Sequence, residues 1–129
     1  MKLAALTGLS CESIQDLLKR QVRTFEIRSA HNLVIFSEIS AGDHIFITDA
    51  VPPDVIPGLC GYIVTVRGVD IHMNRVSFST PLNYEERETM SGRVQLMIHA
   101  TGKVKDVYPV EPYKPIYVEA IEIKHCDAR

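Results

Sequence analysis

The chain has 129 residues, 46% of them hydrophobic and 23% charged, enough for one domain with a core that needs no covalent staples. Fourteen basic residues stand against sixteen acidic ones, and the net charge of −2 excludes the simplest nucleic-acid signature, a strongly basic domain. No apolar run approaches the roughly 20 residues of a membrane span.

In chain order, "KLAAL" (2–6) reads as a first strand rather than the core of a signal peptide, because its apolar run is short and a helix signal follows at once. Gly8 and Ser10 mark a turn and a helix start. Ile14, Leu17 and Leu18 then fall at i, i+3, i+4, so "SCESIQDLLKR" predicts an amphipathic helix with basic residues in its last turn. From Val22 the period becomes two: Phe25 and Ile27 alternate with Thr24, Glu26 and Arg28.

"NLVIFSEI" (32–39), apolar and β-branched, predicts a second strand, "SAGD" a turn, and "HIFIT" a short buried strand. "VPPDVIPG" is a rigid proline loop. Residues 60–80 carry the longest β signal, with a bulge or bend expected at Gly68. In "NYEERETMSG", Asn83 and Glu86 form a capping box and Gly92 suits a helix C′ position, which predicts a two-turn helix. Residues 93–107 alternate with Val94, Leu96 and Ile98 inward. "PVEPYKP" is a second proline loop, "IYVEAIEI" a closing strand, and residues 124–129 a frayed tail.

The sum is a single α+β, mostly β domain over 1–129, with six or seven short, mainly antiparallel strands. Two short helices close the ends of a small β-barrel. Three widely spaced cysteines (Cys11, Cys60, Cys126) with no C-x-x-C pair argue against a disulfide framework or a zinc knuckle, and for a reducing, cytoplasmic setting. Cys60 reads as a small core residue. The five histidines are isolated, so neither a metal site nor a cofactor is expected.

"QVRTFEIRSAHN" (21–32) is the densest polar stretch. On a strand, Thr24, Glu26 and Arg28 share one face at roughly 6–7 Å spacing. A carboxylate, a guanidinium and a hydroxyl so placed suit recognition of polar ligand edges, and equally suit a solvated strand face. Ser29, His31 and Asn32 follow as a loop. Lys103 and Lys105 share a strand face, either as phosphate contacts or as a lysine-protected edge. Glu85 and Glu88 share a face of the predicted helix, either reaching a cleft or solvated. Tyr108 and Tyr113, at the proline loop, are the candidate stacking aromatics, and equally suit a lid over the core.

The order helix, "QVRTFEIR", then a strand and "AGDHIFI", resembles the opening of the ASCH domain of the PUA-like superfamily, whose pattern is G-x-K-x-x-E-x-R followed by G-D-x-I-x-F. Arg23 stands at the lysine, Glu26 at the glutamate, Arg28 at the arginine, Gly42–Asp43 at the G-D turn and Gln21 at the glycine. The resemblance covers residues 10–71. The whole chain is also similar to a family of uncharacterised archaeal proteins of this length.

The ASCH resemblance implies a PUA-like barrel with a cleft for RNA, a nucleotide or a modified nucleoside, lined by Arg23, Thr24, Glu26, Arg28, Ser29 and Asn32. Some ASCH-type proteins hydrolyse an acylated cytidine with the motif lysine in the catalytic group. Arginine at 23 keeps its charge and can bind an anion but not serve as a base, which leaves Glu26 as the one evident base for an enzyme. The function expected is therefore binding of RNA or a nucleotide-like ligand. A hydrolase acting on an acylated nucleoside and a protein-interaction or structural module are the alternatives.

Overall fold

The computed structural model describes residues 1–126, without the side chains of residues 74, 76, 78, 83 and 85–88. Strand β1 (Lys2–Leu6) leads through a turn to helix α1 (Cys11–Arg20), and β2 (Val22–Ile27) follows directly. A four-residue helix α2 (Ala30–Leu33) and a 3₁₀ turn come next, then β3 (His44–Ile47), β4 (Cys60–Thr80), β5 (Asn83–Val107) and β6 (Ile116–Ile123). These form one mixed, mostly antiparallel sheet in the order β2-β5-β4-β3-β1-β6. The pairing of β1 with β3 is parallel. β6 also pairs with β5, so the hydrogen-bonded neighbours from β5 round to β6 close on themselves.

β1 and β3 bury both faces, which is why "LAAL" and "IFI" are unbroken apolar runs. Leu6, Ile45 and Ile47 face one core cluster with Leu17, Phe25, Ile35 and Leu96. Leu3, Ala5 and Phe46 face a second with Ile63, Val104 and Val118. Gly61 and Gly102 lie opposite each other in β4 and β5. A Cβ at Gly61 would sit 2.5 Å from the Phe46 ring, so glycine there makes room for that fully buried side chain.

β4 and β5 are not short. β2 stops at Gly92 of β5 and β3 stops at Thr65 of β4, yet β4 and β5 stay paired to Thr80↔Asn83 across a two-residue turn. From residue 72 outward the pair runs on with no further strand beside it among the described residues, as a ribbon of about 30 Å. Among its described side chains the large apolar ones are exposed, Met73 by 62%, Tyr84 by 64% and Leu82 by 98%, as is Ile71 at its base by 52%.

Three sequence expectations change. Residues 30–37 are helical turns, where 29–32 read as a loop and 32–39 as a strand, with Asn32, Ile35 and Phe36 buried at the i, i+3, i+4 spacing of a helix face. Residues 83–92 are strand, not helix, because the ladder to residues 71–80 supplies the backbone partners. Gly92 is no C′ residue: a Cβ there would lie 2.6 Å from the Phe36 ring. Finally, half-buried Cys60 is bonded to Cys126 with Cα atoms 6.2 Å apart, contrary to the expectations of no disulfide framework and of a small core residue at position 60. The described part of the expected frayed tail is thereby tied to the start of β4; residues 127–129 lie outside the described residues.

Candidate functional site

The site begins where α1 hands the chain to β2. Ser10 caps α1 by accepting from the Ser13 amide (3.1 Å), and the last turn ends at Gln21 with φ 71°. That is the left-handed position helix C-termini usually fill with glycine, the residue the ASCH pattern carries there. Gln21 takes it while its side-chain amide donates to the Leu18 carbonyl at 2.9 Å. The turn aims β2 along β5, and the other edge of β2 pairs with no strand among the described residues. The Gly42–Asp43 turn forms as expected, with Gly42 at φ 97° and the Asp43 carboxylate accepting from the Ser40 amide at 2.9 Å.

Strand alternation divides the candidate residues. Phe25 and Ile27 enter the core, and Arg23 shares their face, half-buried beside α1. Its Nε lies 3.2 Å from Asp16 and its guanidinium sits over the Phe25 ring at 5.0 Å. Its Nη1 is buried and has no hydrogen-bond partner among the described residues. Thr24, Glu26 and Arg28 lie on the opposite, exposed face. Arg28 donates to one Glu26 oxygen from both Nε (2.9 Å) and Nη2 (2.8 Å). Those hydrogen bonds, and the guanidinium charge, hold the Glu26 carboxyl below its ordinary range.

Two cavities meet at this Glu26–Arg28 pair. One of about 340 Å³ wraps the open edge of β2. Arg23, Glu26, Arg28, Ser29 and Asn32 line it, with Ser10 and Ser13 across from them. The other, about 710 Å³, lies on the outer face, where Arg93 pairs opposite Glu26 and Ser91 opposite His72. His72 leans on Asp70 at 3.2 Å. Both volumes fall in the range of small-molecule sites.

Five of the six sequence-predicted ligand contacts therefore border one cavity. Thr24 lines neither. Asn32 is buried and committed: its Oδ1 accepts from the Thr7 amide at 3.1 Å and its Nδ2 donates to the Thr7 carbonyl at 2.7 Å. Lys103 and Lys105 are exposed further along β5 and border neither cavity, and the same holds for both proline loops. Tyr113 is exposed, whereas Tyr108 bonds Glu119 at 2.9 Å. The Glu85 and Glu88 side chains lie outside the described set. Sequence reasoning missed Ser10, Ser13, His72 and Arg93. The two serines carried a helix-start signal, but nothing local tells that residues 72 and 93 meet residue 26.

Residues 1–118 match the family described as "Protein of unknown function (DUF473)". The chain belongs to that family. This DUF473 member is also similar to "Uncharacterized protein MJ0105" of the archaeon Methanocaldococcus jannaschii, 31% identical over 119 residues, covering 92% of this chain and 71% of that one. The expected kinship with an uncharacterised archaeal family is met. No solved structure matches this DUF473 chain.

Proposed function

We propose that this chain is a small binding module for an RNA- or nucleotide-like ligand, held in the cavity at the open edge of β2. The observation that carries the reading is Arg23, which lines that cavity and whose buried Nη1 has no hydrogen-bond partner among the described residues. A buried guanidinium nitrogen without an acceptor is costly, and a ligand phosphate or carbonyl oxygen would satisfy it. Arg28 and the Ser10, Ser13 and Ser29 hydroxyls would supply the remaining contacts. The closed circuit of strand pairings supports the PUA-like barrel reading, and Gln21 supports it by occupying the backbone position of the pattern's glycine.

Binding is favoured over hydrolysis by the state of Glu26. Its carboxyl is lowered by Arg28, which makes it a weak proton acceptor at neutral pH. The test titrates nucleoside mono- and triphosphates, an acylated cytidine and short single-stranded RNA into the purified protein by calorimetry. Arg23→Ala should weaken binding by about 10–100-fold while the melting temperature stays within a few degrees. A wild-type chain that binds nothing on this panel at millimolar concentration sinks the proposal. Turnover of the acylated cytidine, abolished in Glu26→Gln, would replace it with the hydrolase reading.

The ribbon favours a second reading, an interaction module whose partner is another copy of this chain. Register places Val69, Ile71, Met73, Met90 and Tyr84 on one ribbon face, with Leu82 at the tip. At ~200 Å² per large side chain their exposed surface comes to about 700 Å², near the roughly 800 Å² per partner of a stable interface. Across residues 69–94 Asp70, Glu85, Glu86 and Glu88 outnumber Arg75, Arg87 and Arg93, which gives no basic excess to favour nucleic acid as the occupant. Sedimentation should show a dimer that Met73→Glu dissociates. A monomer at high protein concentration removes this reading.

A further inference from the structure

All three cysteines of the chain, from positions 11, 60 and 126, border a single cavity of about 420 Å³. Two are joined as the Cys60–Cys126 disulfide, and the third, Cys11, is a free, exposed thiol. A free thiol and a disulfide on one cavity wall are the two reactants of thiol–disulfide exchange. The cavity is separate from the ligand cavities at β2, and no residue of the proposed binding site lines it.

The three sulfurs are carried by backbone of two kinds. Cys11 is the first residue of α1 and Cys60 the first of β4, both fixed within regular structure. Cys126 lies past the end of β6 in irregular backbone. A sulfur able to change partners is expected on the segment outside the ladder, between two fixed anchors. His125, beside Cys126, lines the same cavity and supplies an imidazole that can accept a thiol proton.

We propose that Cys11, Cys60 and Cys126 form a thiol–disulfide exchange site that moves the C-terminal anchor between β4 and α1. Cys11 gives its proton to His125 and the resulting thiolate attacks Cys126 Sγ. The Cys11–Cys126 bond forms as the Cys126–Cys60 bond breaks, and the electron pair of the broken bond goes to Cys60 Sγ, which takes up the proton. One disulfide and one thiol are present before and after, so no oxidant or reductant is consumed. The exchange moves the free thiol from the exposed start of the helix to the half-buried start of β4.

The experiment equilibrates the oxidised wild-type protein in a glutathione thiol/disulfide buffer, quenches with iodoacetamide and maps disulfide-linked peptides by mass spectrometry. Cys60–Cys126 and Cys11–Cys126 peptides should both appear. Exclusive recovery of Cys60–Cys126, with Cys11 alkylated throughout, overturns the proposal. So does finding Cys11 only in disulfides between two copies. As a second arm, Cys60→Ser should form Cys11–Cys126 under the same buffer. A variant with native circular dichroism and two free thiols would count against the exchange, and the wild-type arm decides the matter if Cys60→Ser does not fold.

Discussion

The two halves of β4 and β5 use the same strand chemistry in opposite surroundings. In the body, Ile63, Val64, Val66, Val94 and Leu96 are wholly or almost wholly buried between sheet neighbours and the helices. Past Gly92 the same two strands remain paired in unbroken register, while Ile71, Met73 and Tyr84 face outward. The ladder of backbone hydrogen bonds is common to both regions, so it is side-chain burial that sets them apart. A two-stranded ribbon standing alone is marginal in water, whereas three or more strands with a covered face are not. Stability should therefore reside in the body, and the ribbon should be available for contacts.

Substitutions can break or sharpen that comparison. Phe46→Ala empties the space that Gly61 and Gly102 keep open, and should cost about 3–5 kcal/mol in urea unfolding. Met73→Ala on the ribbon, measured at a concentration low enough to keep the chain monomeric, should change the same measurement by no more than about 0.5 kcal/mol. Equal costs would mean that the ribbon is an integral part of the folded core. Next in size is Asn32→Ala, which strands the buried amide and carbonyl of Thr7 and should cost about 2–3 kcal/mol. That loss should appear without ligand present, which distinguishes a clamp between β1 and α2 from a ligand contact.

The smallest effect is that of pH. The Glu26 carboxyl is lowered by hydrogen bonds from Arg28, that of Glu38 by Lys114, and that of Glu119 by the N-terminal ammonium and Tyr108. A lowered folded-state value means that each contribution is fully present above about pH 4.5, the ordinary value, and is lost as the pH falls through the lowered one. Melting curves from pH 7 to pH 3 should show the loss beginning below about 4.5. Replacing all three by Gln should flatten that acid limb. An unchanged limb would place the acid sensitivity elsewhere. All three groups are solvent-exposed, so screening keeps the effect slight.

Where one periodicity dominated, the sequence was legible. Ile14, Leu17 and Leu18 after Ser10 gave α1, and residues 60–80 gave β4 with its register shift beside Gly68. Residues 32–39 misled because the buried face there begins with Asn32, a polar residue that no apolar count registers. Residues 83–92 misled because a capping box is a local signal and the ladder to residues 71–80 is not. The candidate site divided the same way. Arg23, Glu26 and Arg28 could be read from one strand, while Arg93 and His72 reach it only through the pairing of distant strands. The disulfide was illegible for a like reason, since a separation of 66 residues says nothing about proximity.

The pairing of β1 with β6 bears on how the chain is made. Lys2 lies opposite Glu119, and the Ala120 amide donates to the Met1 carbonyl at 2.9 Å. β1 is synthesised more than a hundred residues ahead of β6 and must therefore wait for it before its second edge is covered. Until then β1 can pair only with β3, in the parallel arrangement that itself spans some forty residues. Such long-range closures slow folding and leave apolar strands exposed during synthesis. Truncation anywhere before residue 116 should yield an insoluble nascent chain, because β1 would keep an open apolar edge.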